Sequence, residues 1–161
     1  MNVLKISQKT IDAIYLAGQQ SFKMNRVLDR CVSVLSVDFV CSQASEILHK
    51  RYAHFYPAPF ADYGNGILDK WNEKIKYLVT PEDSYDYASI TEMFQRILDE
   101  NLVLYELLKQ VMYTAFNEGD LNVFSHYETQ MRTFNDLMSQ SILMRDKAVQ
   151  FEDNIPMFDF A

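Results

Sequence analysis

Glycine and proline are scarce, with four of each in 161 residues. Short strands and hairpins need the turns those residues supply, so an all-β chain is excluded and an all-helical one follows. The two cysteines, Cys31 and Cys41, lie ten apart with neither CxxC spacing nor a disulfide framework. They read as small buried residues in a reducing compartment. No apolar run approaches the length of a membrane span, and the amino terminus lacks the apolar core of a secretory signal. The expectation is a cytoplasmic protein with no membrane partner. Basic residues are outnumbered, giving a formal charge of −7, and Lys5, Lys9 and Lys23 are too sparse to form a basic arm. That balance disfavours a nucleic-acid partner, whose phosphates require clustered Lys and Arg. There is also no GxSxG, no phosphate-cradling glycine loop and no Cys/His pair at nucleophile spacing, which leaves hydrolase and nucleotide-binding readings without support.

What is present is an apolar pattern of helical period in a chain 48% hydrophobic and 23% charged. Its length suits one domain, 1–161, with an N-terminal segment 1–23 and a C-terminal tail 152–161. Ile6, Ile11, Ile14, Leu16 and Phe22 form a short amphipathic segment. A long helix is expected from about Asn25 to Phe55, its stripe set by Leu28, Cys31, Leu35 and Phe39, and ended by Pro57 and Pro59. A shorter helix should run from Ala61 to Leu78. Thr80-Pro81-Glu82-Asp83 carries a weak start signal, and Ser89-Ile90-Thr91-Glu92 a capping box for a helix to about Phe116. Asn117-Glu118-Gly119-Asp120 then ends one helix and starts another within four residues, so the helix from Leu121 to about Phe151 returns antiparallel. The tail, with Pro156, has no helical pattern. The sum is a four-helix bundle with one longer crossover and a short N-terminal helical segment.

Several polar groups fall on the apolar stripes. Asp38, Ser42, Glu46 and His49 share the face on which the long helix should be buried, Glu100 and Asn101 lie between Ile97 and Leu104, and Glu128 lies between Phe124 and Met131. Inward carboxylates and histidines from facing helices are how a bundle binds iron or manganese, and Glu46-x-x-His49 has the recurring spacing of that chemistry. The structural alternative carries equal weight: buried polar groups are usually paired with other protein groups, and the chain has ten tyrosines to offer. His54 suits a helix C-terminus, His126 the surface, and the Asp69/Glu73 pair, with Lys70, Lys74 and Lys76 nearby, a solvated face.

Two stretches carry a family resemblance, LHKRYAHFYPAPFADYGNGILDKWNEK and TAFNEGDLNVFSHYETQMRTFNDLM. With the order and lengths of the helices over 24–151, they resemble the ferritin-like superfamily, more particularly the Dps-type small ferritins. The resemblance implies an oligomeric, cage-forming bundle that oxidises ferrous iron and protects against peroxide. By position it implies His49 or His54 for the first family histidine, and Asp69 with Glu73 for the acidic pair of the second helix. The second family histidine is missing, with Asp62, Tyr63 and Gly64 in that region, and the second Glu-x-x-His of larger di-iron ferritins is absent because Met131 follows Glu128 at that spacing. Two metal assignments therefore compete: Glu46, His49 and Glu128 within the bundle, or His54, Asp62, Asp69 and Glu73. Ferroxidase activity is expected only with a complete metal centre, for iron or another divalent metal. The rival reading is a metal-free ferritin-like bundle acting in interaction or assembly, its aromatic tail docking on a neighbour in a homo-oligomer.

Overall fold

The computed structural model describes residues 5–53, 66–152 and 154–160. Helix α1 spans Gln8–Val37, α2 spans Ser42–Leu48 and continues as a π-helical turn over His49–Ala53, α3 spans Ile90–Glu118, α4 spans Leu121–Gln150, and a short α5 spans Ile155–Phe160. Among the described residues there is no β-strand, as the scarcity of turn residues demands. A further helical stretch occupies 66–70, and an extended crossover follows it to the start of α3.

The α3–α4 hairpin follows its local signals. Ser89 Oγ accepts the Glu92 amide at 3.1 Å, while the Glu92 carboxylate accepts the Ala88 amide at 2.9 Å, a capping box shifted by one residue. Gly119 ends α3 in the left-handed region at φ 76°, a conformation that costs glycine least, and its amide bonds back into the last turn. Asp120 was expected to cap α4. Instead its carboxylate reaches the start of α1, accepting the Ser7 amide at 3.2 Å and the Thr10 hydroxyl at 2.6 Å. The acid thus serves the dipole of a different helix and ties the hairpin to α1.

Met93, Ile97, Leu104, Leu108, Val111 and Ala115 line the buried face of α3, and Val123, Tyr127, Phe134 and Leu137 that of α4. They meet the α1 stripe of Ile14, Met24, Leu28, Cys31 and Leu35 in one core. Completely burying a leucine-sized side chain contributes about 1.5–3 kcal/mol. The three long helices therefore carry most of the cohesion.

The first half departs from the sequence expectation in three places. Residues 6–22 and 25–55 are not two helices meeting near residue 24: α1 is continuous and the chain reverses at 38–41. Val40 sits there at φ 55°, a strained value for a β-branched residue, and Cys41 donates its amide to Leu35 O at 2.8 Å. Apolar residues flank the reversal on both sides, so the period runs on through a turn that the backbone does not. Restarting at Ser42 also shifts the helical phase. Cys41, Ser45 and Leu48 face inward, while Asp38, Ser42, Glu46 and His49 are exposed. Finally, the expected Ala61–Leu78 helix is over by residue 72, where Asn72 takes φ 60° and the chain becomes extended.

The tail, expected to be irregular, forms α5. Phe158 is buried against Phe94, ring centroids 5.6 Å apart, and Asp159 accepts the Ala44 amide at 2.8 Å in the first turn of α2. A buried aromatic and an acid at a helix N-terminus fix a segment whose own sequence has no helical period.

Candidate functional site

The interior polar level that faces α1 from α3 lies where the sequence placed Glu100 and Asn101. Gln20 projects from the buried stripe of α1, and its amide donates to the Glu100 Oε2 at 2.8 Å and to the Glu100 carbonyl at 3.1 Å. Lys23, one turn further along α1, sets its Nζ 3.0 Å from Glu100 Oε1. Both carboxylate oxygens are thus engaged, one by an amide and one by an ammonium, with the Glu100 side chain only 16% exposed. The neighbouring Asn101 turns toward α4, donating to Ser141 Oγ at 2.5 Å, and Ser141 passes a hydrogen bond on to Leu137 O at 2.9 Å. Buried polar groups that complete one another in this way stabilise the interior rather than burden it.

A second network joins the crossover to α1 and α3. The Arg96 guanidinium donates to Tyr87 Oη at 2.7 Å and lies 2.9 Å from Asp83 Oδ2, while Cys31 donates to Tyr87 Oη at 3.5 Å. Arg96 also sits 4.9 Å above the Tyr85 ring. Burial pushes the Cys31 thiol up to about 12, and burial together with the neighbouring thiol raises Tyr87 well above the usual phenol range. A thiol so protonated is a packing group, not a nucleophile.

The residues singled out for metal chemistry are dispersed. Glu46 is on the surface, ion-paired with Lys50 one turn on, and that hydrogen bond and charge hold its carboxyl below the usual range. His49 is exposed at the start of the π turn. Glu128 pairs with Arg132 at 3.1 Å on a half-exposed flank of α4. Asp69 is exposed in the helical stretch and Glu73 lies beyond the turn that ends it, so the two do not share one helical face as their spacing predicted. His54 and Asp62 lie outside the described residues. Among the described residues, no group of three or more His, Cys, Asp or Glu is placed to hold a metal ion. None of the helices is long and apolar enough to cross a membrane, again among the described residues.

Sequence reasoning found Glu100 but not its partners. Gln20 and Lys23 fall at i and i+3 on a helix whose buried stripe contains Ala17, Ser21 and Met24, and that spacing was the available signal. Arg96, Asp83 and Tyr87 gave no such signal, since their contact depends on where the crossover lies.

No protein-family model matches the sequence, and no curated protein matches it. Solved structures do. An open-pore ferritin from the hyperthermophilic archaeon Archaeoglobus fulgidus superposes with a TM-score of 0.87 at 11% identity, over 96% of this chain and 93% of that one. The fold is ferritin-like. A Chlorobium tepidum ferritin gives a TM-score of 0.83 at 12% identity, covering 96% of this chain and 94% of its own, and a humanized archaeal ferritin gives 0.86 at 10%, covering 97% and 94%. The donor set at the Glu100 level does not fit a metal pair: one carboxylate, already neutralised, with an ammonium among its partners.

Proposed function

We propose that this protein is a self-assembling ferritin-like subunit whose role rests on the homo-oligomer it forms. The crossover carries the argument. Its backbone is clamped along α1 by Tyr15 to Lys74 O at 3.0 Å, Gln19 to Val79 O at 2.6 Å, Arg26 to Pro81 O at 3.0 Å and Arg30 to Tyr85 O at 3.0 Å. A connection held this firmly nevertheless leaves Tyr77 and Val79 exposed, Val79 at 83%. A rigid surface bearing large apolar side chains is the composition of an interface core, and exposed apolar patches of this kind mark contact sites. Covering them with a second copy removes the exposure without reordering the chain, which keeps the entropic cost of association low.

A second reading is iron, or another divalent metal, stored or oxidised by the oligomer. It draws on the likeness to ferritins over nearly the whole chain, and on Asp69 and Glu73 four residues apart in the sequence, with His54 and Asp62 ahead of them. Glu46, His49 and Glu128 are the other set of candidate ligands. One experiment addresses both readings. Sedimentation velocity at micromolar protein should show a discrete oligomer that Tyr77→Glu/Val79→Glu reduces to a folded monomer; a monomeric parent protein contradicts the assembly role. Anaerobic ferrous loading, desalting and elemental analysis of the same oligomer then test the metal. Iron retained and lost in Asp69→Ala or Glu46→Ala supports a metal site, and none retained leaves the assembly role alone.

A further inference from the structure

We propose that the Lys23 ammonium is a built-in counter-cation that closes the Glu100 level between α1 and α3 to divalent metals and keeps Glu100 as a latent ligand. The inference goes beyond assembly and does not depend on it. Helix α1 presents Gln20 and Lys23 to the same carboxylate from successive turns, so each Glu100 oxygen already holds one donor, at 2.8 Å and 3.0 Å. A divalent ion approaching Glu100 meets the positive charge of Lys23, whose side chain is 35% exposed, beside a carboxylate only 16% exposed, where like charges repel more strongly than in water. It would also have to displace the Gln20 amide, which is anchored a second time on the Glu100 carbonyl at 3.1 Å. The adjacent acceptors give no replacement: Asn101 and Ser141 are turned to each other and to Leu137 O.

The geometry also says what would open the site. With a carboxylate at position 23, two acidic groups face each other across the α1–α3 seam, and the Gln20 amide can turn its carbonyl oxygen toward a cation between them. Oxygen donors of this kind suit a hard divalent ion such as manganese. Lysine is therefore the residue that decides whether this level of the bundle is an ion pair or a metal site.

The test uses the full-length protein, apo and titrated with Mn²⁺, followed by electron paramagnetic resonance of the free ion. The parent protein should take up no Mn²⁺ that is sensitive to Glu100→Gln. Lys23→Glu should gain one equivalent per chain, lost again when Glu100→Gln is added. If Lys23→Glu is unfolded without metal, circular dichroism replaces the uptake reading: helix restored by Mn²⁺, removed by EDTA and absent in the Glu100→Gln background supports the proposal. Three results overturn it: Mn²⁺ bound by the parent protein at Glu100, a folded Lys23→Glu that gains none, or an unfolded Lys23→Glu that Mn²⁺ does not restore. Uptake elsewhere, at Asp69 and Glu73 for instance, is distinguished by its indifference to Glu100→Gln.

Discussion

The α3–α4 hairpin and the crossover that leads into α3 are built on different principles. In the hairpin, the instructions are local: a serine cap, a left-handed glycine, and apolar stripes of 3.6 period that bury Phe94, Leu104, Leu108 and Phe134. Along the crossover, the backbone has no regular partner and is held by side chains from elsewhere, Tyr15, Gln19, Arg26 and Arg30 of α1 and Arg96 of α3. Stability in the first region comes from apolar area, and in the second from satisfying carbonyls that no helix or strand satisfies.

Substitutions can break that contrast in order of effect. The largest loss should follow Phe134→Ala in the hairpin, about 3–5 kcal/mol for a buried aromatic, read as one cooperative urea transition. A split transition would mean that the hairpin is not part of one unit with α1. Next is Arg96→Met. It strips the partner from Asp83, whose side chain is 6% exposed, and should cost about 3 kcal/mol while making Cys31 accessible to a thiol reagent. Unchanged labelling of Cys31 would show that the crossover is held without Arg96.

A third test is pH. The folded Cys31 keeps its proton to about 12, against an ordinary value of 9.0, so above pH 9 the unfolded chain loses a proton that the folded chain retains. Stability is therefore intact below pH 9 and falls as pH rises toward 12, with Tyr87 adding to the loss above pH 10 in the same direction. Urea midpoints that stay flat from pH 8 to 10.5 contradict the burial of this pair. The smallest effects belong to the caps: Ser89→Ala and Gly119→Ala should each cost about 1 kcal/mol and leave Cys31 labelling untouched.

The legible part of the fold is the part with local causes. The capping box, the glycine stop and the stripe of α3 were readable because each depends on residues within a turn or two; the α4 face was expected through Phe124 and Met131, whereas the buried positions are Val123, Tyr127, Phe134 and Leu137. The break at 38–41 was not, since Leu35, Phe39 and Cys41 keep an apolar period across a reversal, and the phase shift that follows sends Glu46 and His49 outward. The α1–α3 seam was half readable. Glu100 stood out as an acid on a buried stripe, but its charge is answered by a lysine whose long stem brings the ammonium in from the helix flank, and period alone does not place such a head group. The Arg96 network was not readable at all, because Asp83 and Tyr87 belong to a segment with no period.

The central claim is that the polar level at Glu100, between α1 and α3, is completed by its own side chains. A crystal structure grown in millimolar Mn²⁺ and measured at the manganese absorption edge tests it most directly. The account predicts Lys23 Nζ within hydrogen-bond distance of Glu100 and no anomalous peak between α1 and α3. An anomalous peak on the Glu100 carboxylate, with Lys23 swung out to solvent, would contradict it.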